Sequence, residues 1–215
     1  MKKELELYFD KLWPICRSLT GNGNRKTLAI LSEIIDLKIK EIPCGTECFD
    51  WTIPREWNIK DAWIKDENGN KIIDFNNNNL HVLGYSIPVN EKLSYSELKN
   101  HIYTLPDQPK LIPYLTSYYE DRWGFCMSHN QFKSLDKSKN YEVYINSKLD
   151  ENGSMTIADA ILPGRIKNEI LLSTYFCHPS LANNELSGPL VTAMIYNKLK
   201  SKKNRKYTYR FIFVP

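Results

Sequence analysis

The spacing of apolar residues predicts two helices at the start of the chain. Between residues 3 and 19, apolar side chains recur every three or four positions, which is the period of a helix with one buried face. The stretch 20–24 contains two glycines and interrupts this pattern, and a second helical pattern then runs from Leu28 to Leu37. A short strand is predicted next, over 39–42.

The middle of the chain has the pattern of β-structure. Residues from about 48 to 135 are rich in aromatic side chains and strand-like, and a short helix over 95–103 interrupts them. Asp-Glu-Asn-Gly at 66–69 separates the apolar stretches 62–64 and 71–75, and Asn-Gly favours the positive φ angles of a tight turn. We therefore expect a hairpin within a small β-rich domain. Its tryptophans either form the core of that domain or offer a surface for sugar rings or a peptide.

The same four residues occur again near position 150. Asp-Glu-Asn-Gly at 150–153 lies between strand-like stretches at 141–145 and 155–162. Because the flanking residues do not match those of the first turn, we interpret this as the same turn chemistry used twice rather than as a duplication. The pattern predicts a second hairpin.

The last part of the chain predicts a strand–helix–strand unit. Residues 169–176 are almost continuously apolar, which is typical of a buried strand. A helix is predicted from about Leu186 to Lys200, and a second strand over 207–214. Such units build parallel sheets covered by helices, and these sheets carry their active sites beyond the carboxyl ends of the strands.

These elements predict an α/β protein: a mixed sheet with flanking helices, into which a small β-rich domain is inserted. We expect the α/β domain to comprise residues 1–44 and 138–215, and the inserted domain residues 45–137. The composition, with 42% hydrophobic and 25% charged residues, is that of an ordinary folded protein.

Charge gives no indication of a nucleic-acid partner. The net charge of +4 comes from 29 basic and 25 acidic residues spread along the chain. The dense basic run from Lys198 to Lys206 is interpreted as the solvated end of a helix, where lysines complement the helix dipole. We therefore predict no nucleic-acid binding.

The cysteines and the first residues indicate a cytoplasmic protein. Five cysteines are an odd number in a chain too long to need disulfides, and the charged start does not resemble a signal peptide. No stretch approaches the roughly 20 apolar residues of a membrane span, so we predict no membrane association. Cys44 and Cys48 lack a second cysteine pair at zinc-binding spacing and are interpreted as buried thiols.

Candidate chemistry is concentrated in residues 173–188. His178 lies just past the end of a predicted strand, and Asn183, Asn184 and Glu185 lie on the loop that leads into the next helix. Zinc accepts imidazole nitrogen together with carboxylate or carbonyl oxygen, so this loop is a candidate metal site. In the alternative interpretation, the histidine is structural and the polar residues cap the helix. Cys177 beside His178 suggests a cysteine nucleophile, but neighbouring strand residues point to opposite faces, which disfavours it.

The stretch Tyr-Phe-Cys-His-Pro-Ser-Leu-Ala-Asn-Asn-Glu-Leu-Ser-Gly-Pro at 175–189 resembles the zinc aminopeptidases of the bacterial leucyl-aminopeptidase type. It is similar above all to a divergent branch often found with polysaccharide-biosynthesis genes, in which a small β domain interrupts the peptidase domain. Residues 14–21, 50–57 and 123–126 resemble the same branch. The resemblance covers essentially the whole chain and implies the zinc-exopeptidase fold.

The resemblance also implies roles for individual residues. His178 corresponds to the first zinc ligand and Asn184 to a carboxylate that bridges two zinc ions, a role that a neutral amide cannot fill. Ser180 stands where the peptidases have an aspartate that orients the histidine. Glu185 could substitute for the bridging carboxylate by swinging in, although the resemblance implies that its position points elsewhere. The general base and the remaining ligands are expected beyond Pro215, so no catalytic residue is assigned within the chain.

Two functions follow as hypotheses. In the first, a full-length protein hydrolyses a small peptide or amide with zinc held partly by His178, while the chain as given is an inactive fragment. In the second, a non-catalytic binding or assembly protein keeps the peptidase scaffold in polysaccharide biosynthesis. An unpaired sheet edge would favour association into homo-oligomers.

Overall fold

The structure is a computed structural model that describes residues 2–215. The α-helices are α1 (Lys2–Leu12), α2 (Asn22–Leu31), α3 (Tyr95–Leu98), α4 (His129–Ser134) and α5 (Ser187–Lys200). The strands are β1 (Lys38–Pro43), β2 (Glu47–Cys48), β3 (Trp51–Thr52), β4 (Glu56–Lys65), β5 (Lys71–Asp74), β6 (Val89–Ser94), β7 (Ile102–Tyr103), β8 (Phe125–Cys126), β9 (Asn140–Asp150), β10 (Ser154–Leu162), β11 (Glu169–Tyr175) and β12 (Thr208–Val214).

The chain folds into two compact units. One contains Met1–Glu56 and Glu151–Pro215, and the other contains Trp57–Asp150. These borders lie 12 or 13 residues after the predicted domain boundaries. Strand β9 explains one difference, because it pairs with β6 of the second unit over its whole first half. The assignment of residues 1–44 and 138–215 to a peptidase-like domain, and of residues 45–137 to an inserted domain, stays a prediction.

The first unit contains a mixed four-stranded sheet in the order β1-β10-β12-β11. The first two pairings are antiparallel, and β11 and β12 are parallel. Helices α1, α2 and α5 contribute apolar side chains to the core that covers this sheet. The largest buried apolar side chains of this core are Leu12, Leu28, Leu31, Ile35, Phe176, Tyr196, Phe211 and Phe213. The mixed α/β sheet with flanking helices agrees with the predicted fold class.

The strand–helix–strand unit is confirmed in its connectivity but not in its burial. Strand β11 leads through α5 to the parallel strand β12, as predicted. However, β11 lies at the sheet edge, and Ile170, Leu171 and Tyr175 are 39%, 59% and 43% exposed. The prediction of a fully buried strand was wrong, because a continuous apolar stretch specifies apolar faces without specifying which neighbours cover them.

The second unit contains the sheet β5-β4-β9-β6 and its own apolar core. The first predicted hairpin is confirmed: β4 and β5 are antiparallel, and Gly69 in the turn has a φ of 81°. Asp66 stabilises the turn because its Oδ1 accepts hydrogen bonds from the backbone amides of Asn68 and Asn70. Trp57 is buried against Tyr85, as expected for a core tryptophan.

The second predicted hairpin does not form. Strands β9 and β10 flank the turn at 151–153, but they belong to different sheets and different compact units. The backbone amide of Cys44 instead donates a hydrogen bond to the carbonyl of Gly153. The turn chemistry was recognised correctly, but a turn reverses the chain without dictating that its two flanks pair with each other.

Several helices begin or end a few residues away from their predicted positions. The predicted helix over 28–37 begins earlier, at Asn22, and ends at Leu31. The predicted helix over 95–103 consists of α3, a short 3-10 helix and strand β7. Helix α5 ends at Lys200, so the basic run begins in its last turn as predicted. Within residues 2–215, none of the helices combines the length and the apolar character needed to cross a membrane.

Candidate metal centre

The candidate site lies at the carboxyl edge of the parallel strands β11 and β12. The last residues of the two strands, Tyr175 and Val214, are paired, and the amide of Phe176 donates to the carbonyl of Val214. His178 follows three residues after Tyr175. The chain then forms a π-helix, Ala182–Leu186, before α5 begins. π-Helical turns are rare and occur often at functional sites.

His178 is held by a buried carboxylate. Its Nδ1 lies 2.7 Å from Oε2 of Glu185, whose side chain is fully buried, whereas the His178 side chain is 23% exposed. An ionised carboxylate can only accept hydrogen bonds, so Nδ1 is the donor of this pair. The proton on Nδ1 leaves the lone pair on Nε2, and neutral imidazole binds metals through such a lone pair.

A buried arginine stands on the other side of this carboxylate. Nε of Arg17 lies 3.6 Å from Oε1 of Glu185 and donates a 3.0 Å hydrogen bond to the carbonyl of His178. Its second donor reaches the carbonyl of Leu12 at 2.8 Å. Burial lowers the pKa of Arg17, and the Glu185 carboxylate opposes this shift. These three residues form the Arg17–Glu185–His178 cluster.

Local contacts fix the segment that carries Arg17. It lies between α1 and α2, where the hydroxyl of Ser18 donates to the carbonyl of Thr20. The side-chain amide of Asn24 donates to the carbonyl of Ser18. A side chain at Gly23 would overlap the backbone carbonyl of Cys16, so only glycine allows α2 to approach this closely. The packing of α2 therefore determines where the guanidinium is presented.

Asn184, the second predicted metal residue, lies at the surface. Its Oδ1 accepts a 3.3 Å hydrogen bond from the hydroxyl of Tyr175, whose ring stands edge-on to the ring of His178 at 5.4 Å. Glu185 occupies the buried position instead and is turned toward His178, which agrees with the alternative that it swings in. The π-helix gives the reason: its wider turn, closed by the bond from the Leu186 amide to the Leu181 carbonyl, rotates the side chains relative to an α-helix.

Ser180 does not replace the missing aspartate. Its hydroxyl donates to the carbonyl of Trp13 at 3.0 Å, and its φ of 37° places it in the left-handed region. In the resemblance, the aspartate that orients the metal-binding histidine stands at this position. In the structure Glu185 provides that carboxylate from the other end of the loop.

Cys177 contacts His178 but is not a nucleophile. Its Sγ lies 3.6 Å from Nδ1 of His178, contrary to the expectation that the two side chains diverge. Both residues lie past the end of β11, so the alternation of a strand no longer applies. Burial, with a further contribution from Glu185, raises the pKa of Cys177 to about 12. The protonated thiol is a weak nucleophile.

The donor atoms of the loop fit zinc at His178. Within residues 2–215, Cys177, His178 and Glu185 form the group of metal-capable side chains whose donor atoms lie within 4.8 Å of one another. Oε2 of Glu185 is bound to His178, whereas its buried Oε1 lies 3.6 Å from Nε of Arg17 and has no hydrogen-bond partner among residues 2–215. The bond to Oε2 leaves Nε2 as the imidazole nitrogen that carries a lone pair for a metal. The amide oxygen of Asn184 is a neutral second donor at the surface.

Sequence reasoning missed Arg17 and the role of Glu185. Arg17 lies within the stretch 14–21 that resembles the family, which was the available signal. It is 161 residues away from the carbonyl of His178 that it binds, so no local pattern connects them.

The comparisons with known proteins identify the family of this chain and its fold. The sequence profile of a family described as a domain of unknown function (DUF4910) matches residues 7–215. The chain belongs to this family. A protein of Clostridium acetobutylicum, described as a polysaccharide biosynthesis protein with an aminopeptidase-like domain, is 49% identical over 212 residues. The match covers 98% of this chain and 48% of that protein, so the chain spans about half the length of this curated relative.

Solved structures show the same fold. A crystal structure from Clostridium acetobutylicum, described as that of a peptidase, matches with a TM-score of 0.95 at 47% identity, over 99% of this chain and 50% of that one. A zinc aminopeptidase from Bacillus subtilis matches with a TM-score of 0.57 at 13% identity, over 97% of this chain and 60% of that one. The resemblance to the aminopeptidase-like family is confirmed, and the distant match shows that the fold is that of zinc aminopeptidases.

Proposed function

We propose that this chain contributes the first metal ligand of an aminopeptidase-like zinc hydrolase that cleaves a peptide or amide bond in a small substrate. One observation carries the proposal: His178 lies beyond the carboxyl end of β11 with its Nδ1 bound to a buried carboxylate, so its Nε2 is prepared for a metal. The aminopeptidase-like fold of the chain supports this assignment, because open α/β sheets bind ligands at this edge.

The residues of the chain would have distinct tasks. His178 would hold the metal through Nε2, and Glu185 would keep the ring in one orientation. The Tyr175 ring, 43% exposed and edge-on to His178, would form one wall of the substrate site. Zinc, when bound, supplies polarisation of the substrate carbonyl and a water that loses its proton more easily.

The biological setting is a proposal as well. The Clostridium acetobutylicum relative is described as a polysaccharide biosynthesis protein, and we place the protein that contains this chain in the same process. All five cysteines are free thiols, which supports a reducing cytoplasm as the place of action.

A second candidate function is a non-catalytic binding or assembly protein on the same scaffold. Asn184 favours it, because a neutral amide provides no charge to bridge two zinc ions. The guanidinium of Arg17 in the same cluster also disfavours a second cation close by. In this case ligand or partner binding would be independent of zinc.

Metal analysis of the protein that contains this chain tests the two candidates. We expect zinc to be retained after purification by the wild type and by His129→Ala, and lost from His178→Ala. His129 is a matched control, since it is half-buried in the second unit and its Nδ1 pairs with the Thr104 hydroxyl. Equal zinc content in all three proteins would refute the metal role of His178. Amide hydrolysis that a chelator abolishes would exclude the non-catalytic candidate.

A further inference from the structure

We infer that Glu185 is a positioning residue for His178, which it holds in the tautomer with the proton on Nδ1, and that Arg17 fixes Glu185 in this role. The inference rests on the proposed function, since it takes His178 as the residue that binds metal. It goes further because it specifies the tautomer of His178 and assigns a role to Arg17, which lies outside the loop.

The geometry shows how Glu185 holds His178. Its Oε2 lies 2.7 Å from Nδ1 of His178, and its Oε1 lies 3.6 Å from Nε of Arg17. The side chains of Glu185 and Arg17 are both fully buried. To bind a metal through Oε2, the carboxylate would have to leave His178, whereas Oε1 faces Arg17 as an ion pair and has no hydrogen-bond partner among residues 2–215. Movement of the carboxylate away from Arg17 would leave a buried cation unpaired, which is costly.

Hydrogen bonds to two backbone carbonyls fix the guanidinium of Arg17 beside Glu185. It binds the carbonyl of His178 and the carbonyl of Leu12, so it connects the loop after β11 to the end of α1. The same guanidinium therefore fixes both the backbone and, through Glu185, the ring of His178. A metal-binding histidine held in this way by a carboxylate presents a fixed and more basic nitrogen.

Nitrogen NMR of the metal-free chain with labelled histidine tests the inference without zinc. At about pH 8, where most imidazoles are neutral, we expect the His178 ring of the wild type to carry its proton on Nδ1. His178→Ala identifies its signals. In Glu185→Leu the preference should be lost, and the common tautomer with the proton on Nε2 should gain population. An unchanged tautomer in Glu185→Leu would overturn the inference.

A paired variant keeps the test valid if Glu185→Leu does not fold, because Arg17→Met/Glu185→Leu removes both buried charges together. We expect the same tautomer change in this double variant, and an unchanged tautomer there would overturn the inference. Glu169→Leu is the matched control, since it removes an exposed carboxylate of β11 that pairs with Arg210. It should leave the His178 signals as in the wild type, and a change equal to that of Glu185→Leu would refute the specific role of Glu185.

Zinc titration then separates the inference from the proposed function. We expect the folded Glu185 variant to bind zinc about 10–100-fold more weakly than the wild type, as is usual for residues that orient a metal ligand. In the wild type, zinc should shift the Nε2 signal while the Nδ1 proton remains. Loss of the Nδ1 proton on zinc addition would show that Glu185 or Nδ1 itself binds the metal and would overturn the inference. Failure of the wild type to bind zinc would refute the proposed function, while the metal-free tautomer would still decide the inference.

Discussion

Replacement of Arg17 by methionine should be among the most destabilising single changes in the first unit. Arg17 is 1% exposed, and its guanidinium faces a fully buried Glu185 carboxylate. Methionine has a similar length but provides neither charge nor hydrogen-bond donors. The substitution would leave Glu185 as a buried carboxylate without its cation. It would also remove the donor that Arg17 provides to the carbonyl of His178 and one of the two donors to the carbonyl of Leu12.

The expected magnitude follows from the burial of both partners. Removal of one member of a buried ion pair costs about 3–5 kcal/mol of unfolding free energy, because the remaining charge stays desolvated. For a chain of this size, each kcal/mol corresponds to roughly 2–4 °C in melting temperature, so a fall of roughly 6–20 °C is expected. Arg17→Met/Glu185→Leu should recover much of this loss, since no buried charge remains.

Urea unfolding followed by circular dichroism measures these differences. The matched control is Arg210→Met, which removes a pair with Glu169, whose side chain is 38% exposed, and a longer pair with Asp159. Asp159 keeps its pair with Lys40, so this change should cost about 1 kcal/mol or less. The reasoning would be refuted if Arg17→Met unfolded at the same urea concentration as Arg210→Met. It would also fail if the double variant were as unstable as the sum of its two single variants.

Three further predictions concern other parts of the first and second units. Gly23→Ala should lower the unfolding free energy by about 1–3 kcal/mol, because the new methyl group overlaps the carbonyl of Cys16; a melting temperature at or above that of the wild type would contradict this. Burial raises the pKa values of Cys126 and Cys177 to about 12, so both thiols should escape alkylation in the folded chain at about pH 8 and react after unfolding, as mass spectrometry can map. Hydrogen bonds from Lys200, at the end of α5, and from the hydroxyl of Tyr196 lower the pKa of Asp36. Its contribution to the free energy of unfolding is therefore present above the usual pKa range of a carboxyl group, and it is lost as the pH falls through the lowered pKa. Asp36→Asn should therefore cost about 0.2–1 kcal/mol near neutral pH and nothing in strong acid, and a cost independent of pH would refute this assignment.

The parts of the fold that depend on local signals could be predicted from the sequence. The Asn-Gly turn at 68–69 specified its hairpin because its backbone angles and its flanking strands are set by nearby residues. The order β11, α5, β12 followed from the change between strand-like and helical periods. The position of His178 at the carboxyl edge of the sheet followed from that order.

Features that depend on distant partners could not be predicted in the same way. Strand β9 pairs with β6 rather than with β10, and no residue of the turn between β9 and β10 encodes that choice. The π-helix that turns Glu185 inward differs from an α-helix by one residue in its hydrogen bonding, which no spacing rule detects. Arg17 was overlooked because its partners lie far along the chain, and a lone arginine near a helix end is usually solvated.

The most direct test of the account is a crystal structure of the protein that contains this chain, grown with zinc and measured at the zinc absorption edge. The account predicts an anomalous peak about 2.0–2.1 Å from Nε2 of His178, with Nδ1 still bound to Glu185. The absence of a peak within bonding distance of Nε2, while the protein is saturated with zinc, would contradict the claim that His178 is the metal ligand.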